Sequence, residues 1–176
     1  MKKTISIIIS IAMCAMLASC GGVKNEVSDT EQPTLIDTMS LEEKVGQILF
    51  VRCVDDEQTD DLMSIKPGGI LMFGRDFEGL TKDEVKEKIQ SYQDKSDIPL
   101  IIGADEEGGT VVRVSSNPNL APEKFKSPQE IYNEGGMDAV VENATEKSEL
   151  LLSLGVNMNL APVADVSTNP SASMYA

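Results

Sequence analysis

The chain contains no histidine and no tryptophan, and only 4% of its residues are aromatic. Without histidine, these residues cannot build a Ser-His-Asp triad, a Cys-His pair or a histidine-ligated metal centre. Scarce aromatics leave little with which to stack bases or sugar rings. Basic residues are few as well: 15 Lys and Arg stand against 29 Asp and Glu, a formal charge of -14. Nucleic acid is thereby excluded as a partner, because phosphate binding needs clustered cations and no cluster is present.

What is present is enough for a folded domain. At 176 residues and 41% apolar, the chain has the size of one domain and the composition of a real core. It opens Met1-Lys2-Lys3 and runs apolar from Ile5 to Ala18. That pattern is a basic n-region and an h-region too short to span a bilayer, so residues 1–19 are expected to be an export signal. Leu17-Ala18-Ser19-Cys20-Gly21 resembles a bacterial lipobox. The resemblance implies cleavage before Cys20 and lipid on that residue, anchoring an exported protein to the outer side of the cell membrane. The alternative is an ordinary signal peptide with Cys20 there by chance. Removing the signal takes two lysines and no acids, moving the formal charge from -14 to -16. Of the three cysteines, Cys14 leaves with the signal and Cys20 carries lipid. Cys53 therefore has no partner for a disulfide and reads as a small apolar core residue. Residues 20–39, polar and aperiodic, read as a tether.

From Ser40 onward helix starts and apolar runs alternate. Ser40-Leu41-Glu42-Glu43 is a capping box whose helix would put Leu41, Val45 and Ile48 on one face. Ile48–Val51 is a short apolar run, and Asp55–Ser64 an acidic helix or loop. Pro67-Gly68-Gly69 turns the chain into Ile70–Phe73, which ends at Gly74-Arg75-Asp76. A second capping box at Thr81 opens an amphipathic helix with Val85, Ile89 and Tyr92 inward. Pro99–Ala104 is another continuous apolar run. Ser127-Pro128-Gln129-Glu130 starts a short helix, and Met137–Leu154 a longer one with Val140, Ala144, Leu151 and Leu154 inward and Gly155 as its C-cap. A final run, Val156–Val166, carries Asn157, Asn159 and Asp165. Continuous apolar strands alternating with amphipathic helices predict an α/β fold around a parallel sheet. This pattern fits either an open doubly wound sheet or part of a (β/α)8 barrel. It holds no dinucleotide fingerprint, since three acids stand where a pyrophosphate needs bare amides.

Polar residues gather where these strands end: Arg75 and Asp76, then Asp105, Glu106 and Glu107, then Asp165. In parallel α/β folds that edge binds ligands. Three adjacent carboxylates on one loop cannot all face one ligand. One is expected inward, one toward backbone or a cation, and one in solvent. Gly108 and Gly109 permit positive φ and close main-chain approach to a ligand. Arg113 can return to the same pocket as a donor. The spacing does not match an EF-hand loop, and no metal or cofactor is expected.

Four stretches carry a family resemblance. Ser40–Gln47, Gly69–Asp76, Pro99–Gly109 and Gly155–Val166 are similar, in that order, to the N-terminal part of glycoside hydrolase family 3, especially its β-N-acetylhexosaminidase (NagZ-like) branch. The resemblance implies a TIM-like (β/α)8 barrel and a retaining hydrolase that releases terminal β-linked N-acetylglucosamine from cell-wall or chitin-type glycans. It makes Asp105 and Arg113 substrate-binding residues, with Glu107 and Asp165 in support. Thr110 departs from the family, whose members often carry Arg there.

The resemblance also implies an acid/base histidine and an aspartate nucleophile that are both expected beyond Ala176. No catalytic residue is therefore expected among residues 40–176. Retaining chemistry needs both groups, on opposite sides of the bond. A complete barrel takes about 250 residues, and 176 less 40 leaves 136. The expectation is the N-terminal half of a barrel, inactive alone. Two rivals remain: a lipid-anchored glycan-binding protein without catalysis, and a family 3 β-glucosidase.

Overall fold

A computed structural model describes residues 34–52 and 58–164. Cys20, Cys53 and Asp165 lie outside the described residues, as does the proposed export signal. So does Ala176, and the expectation that the catalytic groups follow it is not one that the described residues address.

The chain divides into two units at Asp37/Thr38. Within the stretch read as tether, Leu35–Thr38 forms one helical turn, α1. Asp37 stabilises it by accepting from the Thr34 amide and hydroxyl (2.9 and 2.6 Å).

The second unit is built on four strands: β1 (Phe50–Val51), β2 (Gly69–Met72), β3 (Ile101–Ala104) and β4 (Met158–Asn159). Every neighbouring pair is parallel, with Phe50 opposite Gly69, Gly69 opposite Ile101, and Gly103 opposite Met158. The strands lie in the order β1-β2-β3-β4. That order decides between the two architectures. A doubly wound sheet reverses direction at a switch point, whereas sequential right-handed crossovers keep all helices on one face and curl the sheet toward a barrel. The fold is α/β, a run of consecutive barrel units.

Three helices make the crossovers: α3 (Thr59–Ser64), α5 (Lys82–Gln93) and α6 (Pro128–Leu154). Two more, α2 (Leu41–Gln47) and α4 (Gly74–Phe77), precede β1 and follow β2. α2 and α5 start on the capping boxes read from the sequence, and α6 starts on a third at Ser127, where a helix start was expected. In each, the Ser40, Thr81 or Ser127 hydroxyl accepts from the N3 amide, while the N3 glutamate accepts from the cap amide. These bonds satisfy N–H groups that the helix itself cannot. Ser127→Ala should lower stability by about 1 kcal/mol in chemical denaturation. The Thr81 amide, then its hydroxyl, holds the Glu84 carboxyl below its ordinary value, and Ser127 does the same for Glu130. Their contribution is therefore present above about pH 4.5 and is lost as pH falls through the lowered values. Glu84→Gln should flatten that acid limb of a stability–pH curve.

The core lies between sheet and helices. Ile70 and Met72 of β2, with Ile102 and Ala104 of β3, pack on Val85, Ile89 and Tyr92 of α5 and on Leu151 and Leu154 of α6. The opposite sheet face is lined by Phe50, Gly69, Leu71, Ile101 and Gly103. There the Phe50 ring lies over both glycines, so a Cβ added at Gly69 or Gly103 would fall 2.6 or 2.4 Å from it.

Several local expectations change. Leu41, Val45 and Ile48 do not join this core; Leu41 and Ile48 are 72% and 81% exposed. α2 is instead held by its glycine, since Gly46 is the buried residue of that helix. The two helices expected after Ser127 abut as one element broken at Gly136, whose φ of 68° is not helical. Along α6, Ala144 is exposed, and the buried positions are Lys147, Leu151 and Leu154.

Candidate functional site

Alternation along β3 sorts the three carboxylates. Successive strand residues face opposite sides of a sheet, so Asp105 continues the row of Ile101 and Gly103. Glu106 continues the buried row of Ile102 and Ala104. This parity decides which acid can meet a ligand.

Glu106 is completely buried and acts as a clamp. Its Oε2 accepts from the amides of Arg113 and Val114, both at 2.7 Å. Its Oε1 accepts from the Ser115 amide at 3.2 Å and from the Ser115 hydroxyl. Its own main chain is bracketed by Asn159 of β4, which accepts from the Glu106 amide (2.9 Å) and donates to its carbonyl (3.2 Å). One side chain therefore ties β3 to the returning loop and delivers Arg113 beside Asp105.

The twin glycines serve the same loop. Gly108 and Gly109 have φ of 103° and 65°. The close approach they allow is to the chain's own backbone: a Cβ on Gly108 would lie 2.2 Å from the Lys126 carbonyl, and the Gly109 amide donates to the Phe125 carbonyl at 2.8 Å. Loop packing by itself accounts for a glycine at each position.

Asp105 and Arg113 meet as the sequence suggested, with Arg113 Nη2 3.3 Å from Asp105 Oδ2. Both side chains are partly exposed. Arg113 Nε is buried without a hydrogen-bond partner. Beside them, Phe73 follows β2 and Arg52 follows β1. The Arg52 and Arg113 guanidinium carbons lie 4.0 and 5.6 Å from the Phe73 ring centroid. The strand ends thus gather a carboxylate, two guanidinium groups and an aromatic face. Arg75 and Asp76 do not join them. Arg75 is exposed, and the buried Asp76 accepts from the Phe73 amide at 2.7 Å, capping α4.

Glu107 contributes through its backbone. Its amide donates to the Val111 carbonyl at 3.0 Å, and its carbonyl accepts from Lys147 Nζ at 2.8 Å. Lys147, only 7% exposed, lies 5.4 Å from the Phe125 ring centroid. Burial pushes its pKa down, and the nearby Glu106 and Glu107 charges oppose that shift. Sequence reading passed over Lys147, although it stands four before Leu151 and seven after Val140, on the inward stripe of α6. A lysine on that stripe was the available signal. Between its lowered folded value and 10.5, the unfolded chain holds more protons, so stability rises with pH there. Lys147→Met should abolish that rise in denaturation curves recorded from pH 8 to 10.5.

Among the described residues no three His, Cys, Asp or Glu side chains form a metal-binding group. A separate groove of about 620 Å³ is lined by Lys82, Phe125, Asn143, Glu146 and Leu150, among others. None of Arg52, Phe73, Asp105 and Arg113 lines it.

Comparison with known proteins places this geometry. Residues 40–176 match the model of the glycosyl hydrolase family 3 N terminal domain. The chain belongs to glycoside hydrolase family 3. Among curated relatives, a beta-hexosaminidase A from Pseudoalteromonas piscicida is 31% identical over 107 residues, 59% of this chain and 18% of the relative. A beta-hexosaminidase from Haemophilus influenzae is 23% identical over 113 residues, 64% of this chain and 32% of the relative. The chain thus spans about a fifth to a third of these relatives. Among solved structures, a family 3 beta-N-acetylglucosaminidase from Paenibacillus sp. superposes with a TM-score of 0.60 at 25% identity, over 70% of this chain and 24% of that one. LpqI of M. tuberculosis gives a TM-score of 0.62 at 25% identity, over 75% and 37%. These relatives support the hexosaminidase branch of family 3, the branch read from the sequence.

Proposed function

We propose that the protein is a retaining β-N-acetylhexosaminidase that releases terminal β-linked N-acetylglucosamine, and that this chain supplies part of its sugar-binding subsite. The observation that carries the reading is the Asp105–Arg113 pair at the carboxyl ends of parallel strands in a family 3 domain. Asp105 accepts hydrogen bonds from sugar hydroxyls, while Arg113 pairs with that carboxylate and offers its remaining donors to sugar oxygens. Charge-assisted bonds of this kind give a neutral sugar both affinity and orientation. The supporting role that the resemblance implies for Asp165 belongs to the same proposal, though that residue lies outside the described ones. Histidine, the acid/base implied by the resemblance, is absent from all 176 residues. The chain by itself therefore binds the sugar and does not turn it over.

The test is titration of the chain with N-acetylglucosamine, beside an assay of chromogenic β-N-acetylglucosaminide hydrolysis. Saturable binding without turnover is expected, with glucose binding more weakly. Asp105→Asn should weaken binding about 10- to 100-fold, the value of hydrogen bonds to a charged group. Turnover by these residues alone, or a preference for glucose, would overturn the reading. Lipid on Cys20 and attachment outside the cytoplasm belong to the same proposal. They predict membrane-fraction labelling by radioactive palmitate that Cys20→Ser removes.

A further inference from the structure

We propose that Arg52 is a further sugar-contacting residue of this site, held in place by stacking on Phe73. The proposal rests on the glycosidase reading above and extends it to a residue on a different strand. Strand parity provides the first argument. Phe50 and Gly69 are register partners, as are Gly69 and Ile101. Counting by twos from each puts Arg52, Phe73 and Asp105 on one sheet face, at the carboxyl ends of three adjacent strands. This is the face that carries the Asp105–Arg113 pair.

Geometry narrows the role. Arg52 and Arg113 share the Phe73 ring, at 4.0 and 5.6 Å from its centroid. Their guanidinium carbons are therefore separated by no more than the sum of those distances, a gap that one pyranose with its substituents bridges. Arg113 is committed to Asp105. Arg52 is exposed and has no carboxylate or other hydrogen-bond partner among the described residues. Stacking fixes the plane of the Arg52 guanidinium, and its edge donors meet no acceptor among the described residues. A planar, oriented set of donors suits sugar hydroxyl and acetamido oxygens better than a mobile ammonium would.

The experiment is calorimetric titration of the full chain with N-acetylglucosamine for the wild type, Arg52→Ala, Arg52→Lys and Lys95→Ala, with urea midpoints measured in parallel. Arg52→Ala is expected to weaken binding about tenfold or more at an unchanged midpoint, Arg52→Lys to fall between it and the wild type, and Lys95→Ala to bind as the wild type does. Wild-type affinity in Arg52→Ala would overturn the role of Arg52 and leave the glycosidase reading standing. Absence of binding by the wild type would overturn both. If Arg52→Ala lowers the midpoint, Arg52→Lys decides, since it keeps the charge and most of the stem. Weakened binding at a normal midpoint then supports the proposal, and unchanged binding overturns it.

Discussion

Glu106→Ala is expected to destabilise the domain by about 3–5 kcal/mol, the range for removing one partner of a buried charged network. The carboxylate is fully buried and takes three amides and a hydroxyl. Alanine would leave all four donors in a cavity that supplies no acceptor. For a domain of this size the loss corresponds to roughly 10–20 °C in Tm, to be read by calorimetry or by circular dichroism. It is a large share of the roughly 5–15 kcal/mol that holds a typical domain folded. Glu106→Gln keeps the shape and one acceptor oxygen but turns an NH2 toward the donors, so a smaller loss is expected. If alanine were tolerated without change in Tm, Glu106 would not be the clamp that sets the Arg113 loop. Sugar binding should fall along with stability, because the same amides position Arg113 beside Asp105.

Gly46→Ala is the second large effect. Helix propensity alone would favour alanine by about 1 kcal/mol. The site does not permit it: the new Cβ would lie 2.1 Å from the Ile65 carbonyl oxygen and 2.6 Å from that of Lys66. Both are main-chain atoms, so no rotamer change relieves the clash. The segment entering β2 would have to move, together with the bond from the Gly68 amide to the Gly46 carbonyl at 3.1 Å. A net loss of about 2–4 kcal/mol is expected from overpacking of this kind. Gly74→Ala is the control, since nothing lies within 4 Å of its Cβ and it opens a helix. It should be neutral or gain up to about 1 kcal/mol. Equal midpoints for the two variants in urea would show that helix α2 is not docked through its glycine.

Short-range signals in the sequence were read well. The capping boxes at Ser40 and Thr81 and the helix start at Ser127 all formed, because a cap needs only four residues. Val85, Ile89 and Tyr92 were placed inward correctly, because α5 covers the sheet with a full amphipathic face. For Leu41, Val45 and Ile48, all exposed, the sequence established only a shared face. Their helical spacing is real, yet periodicity says which residues share a face and nothing about what covers that face. Ala144 failed for a related reason, as the inward stripe of α6 runs through Lys147 instead. A buried lysine is invisible to apolar periodicity, and its acceptor is a main-chain carbonyl forty residues away.

At the strand ends the division is similar. Asp105 and Arg113 were paired in advance through the family motif and lie 3.3 Å apart. Arg52 lies outside the four family stretches and Phe73 inside one, and their contact joins residues 21 positions apart through the pairing of β1 with β2.

By itself the sequence determined the α/β class, the helix starts and the acid–arginine pair, since each rests on local pattern or composition. Only the tertiary structure decided the strand register and which of three adjacent carboxylates is buried. It alone decided that the twin glycines serve loop packing, and that two arginines share one aromatic ring. Those outcomes depend on register and crossover direction, which bring together groups whose sequence separation carries no trace of their contact.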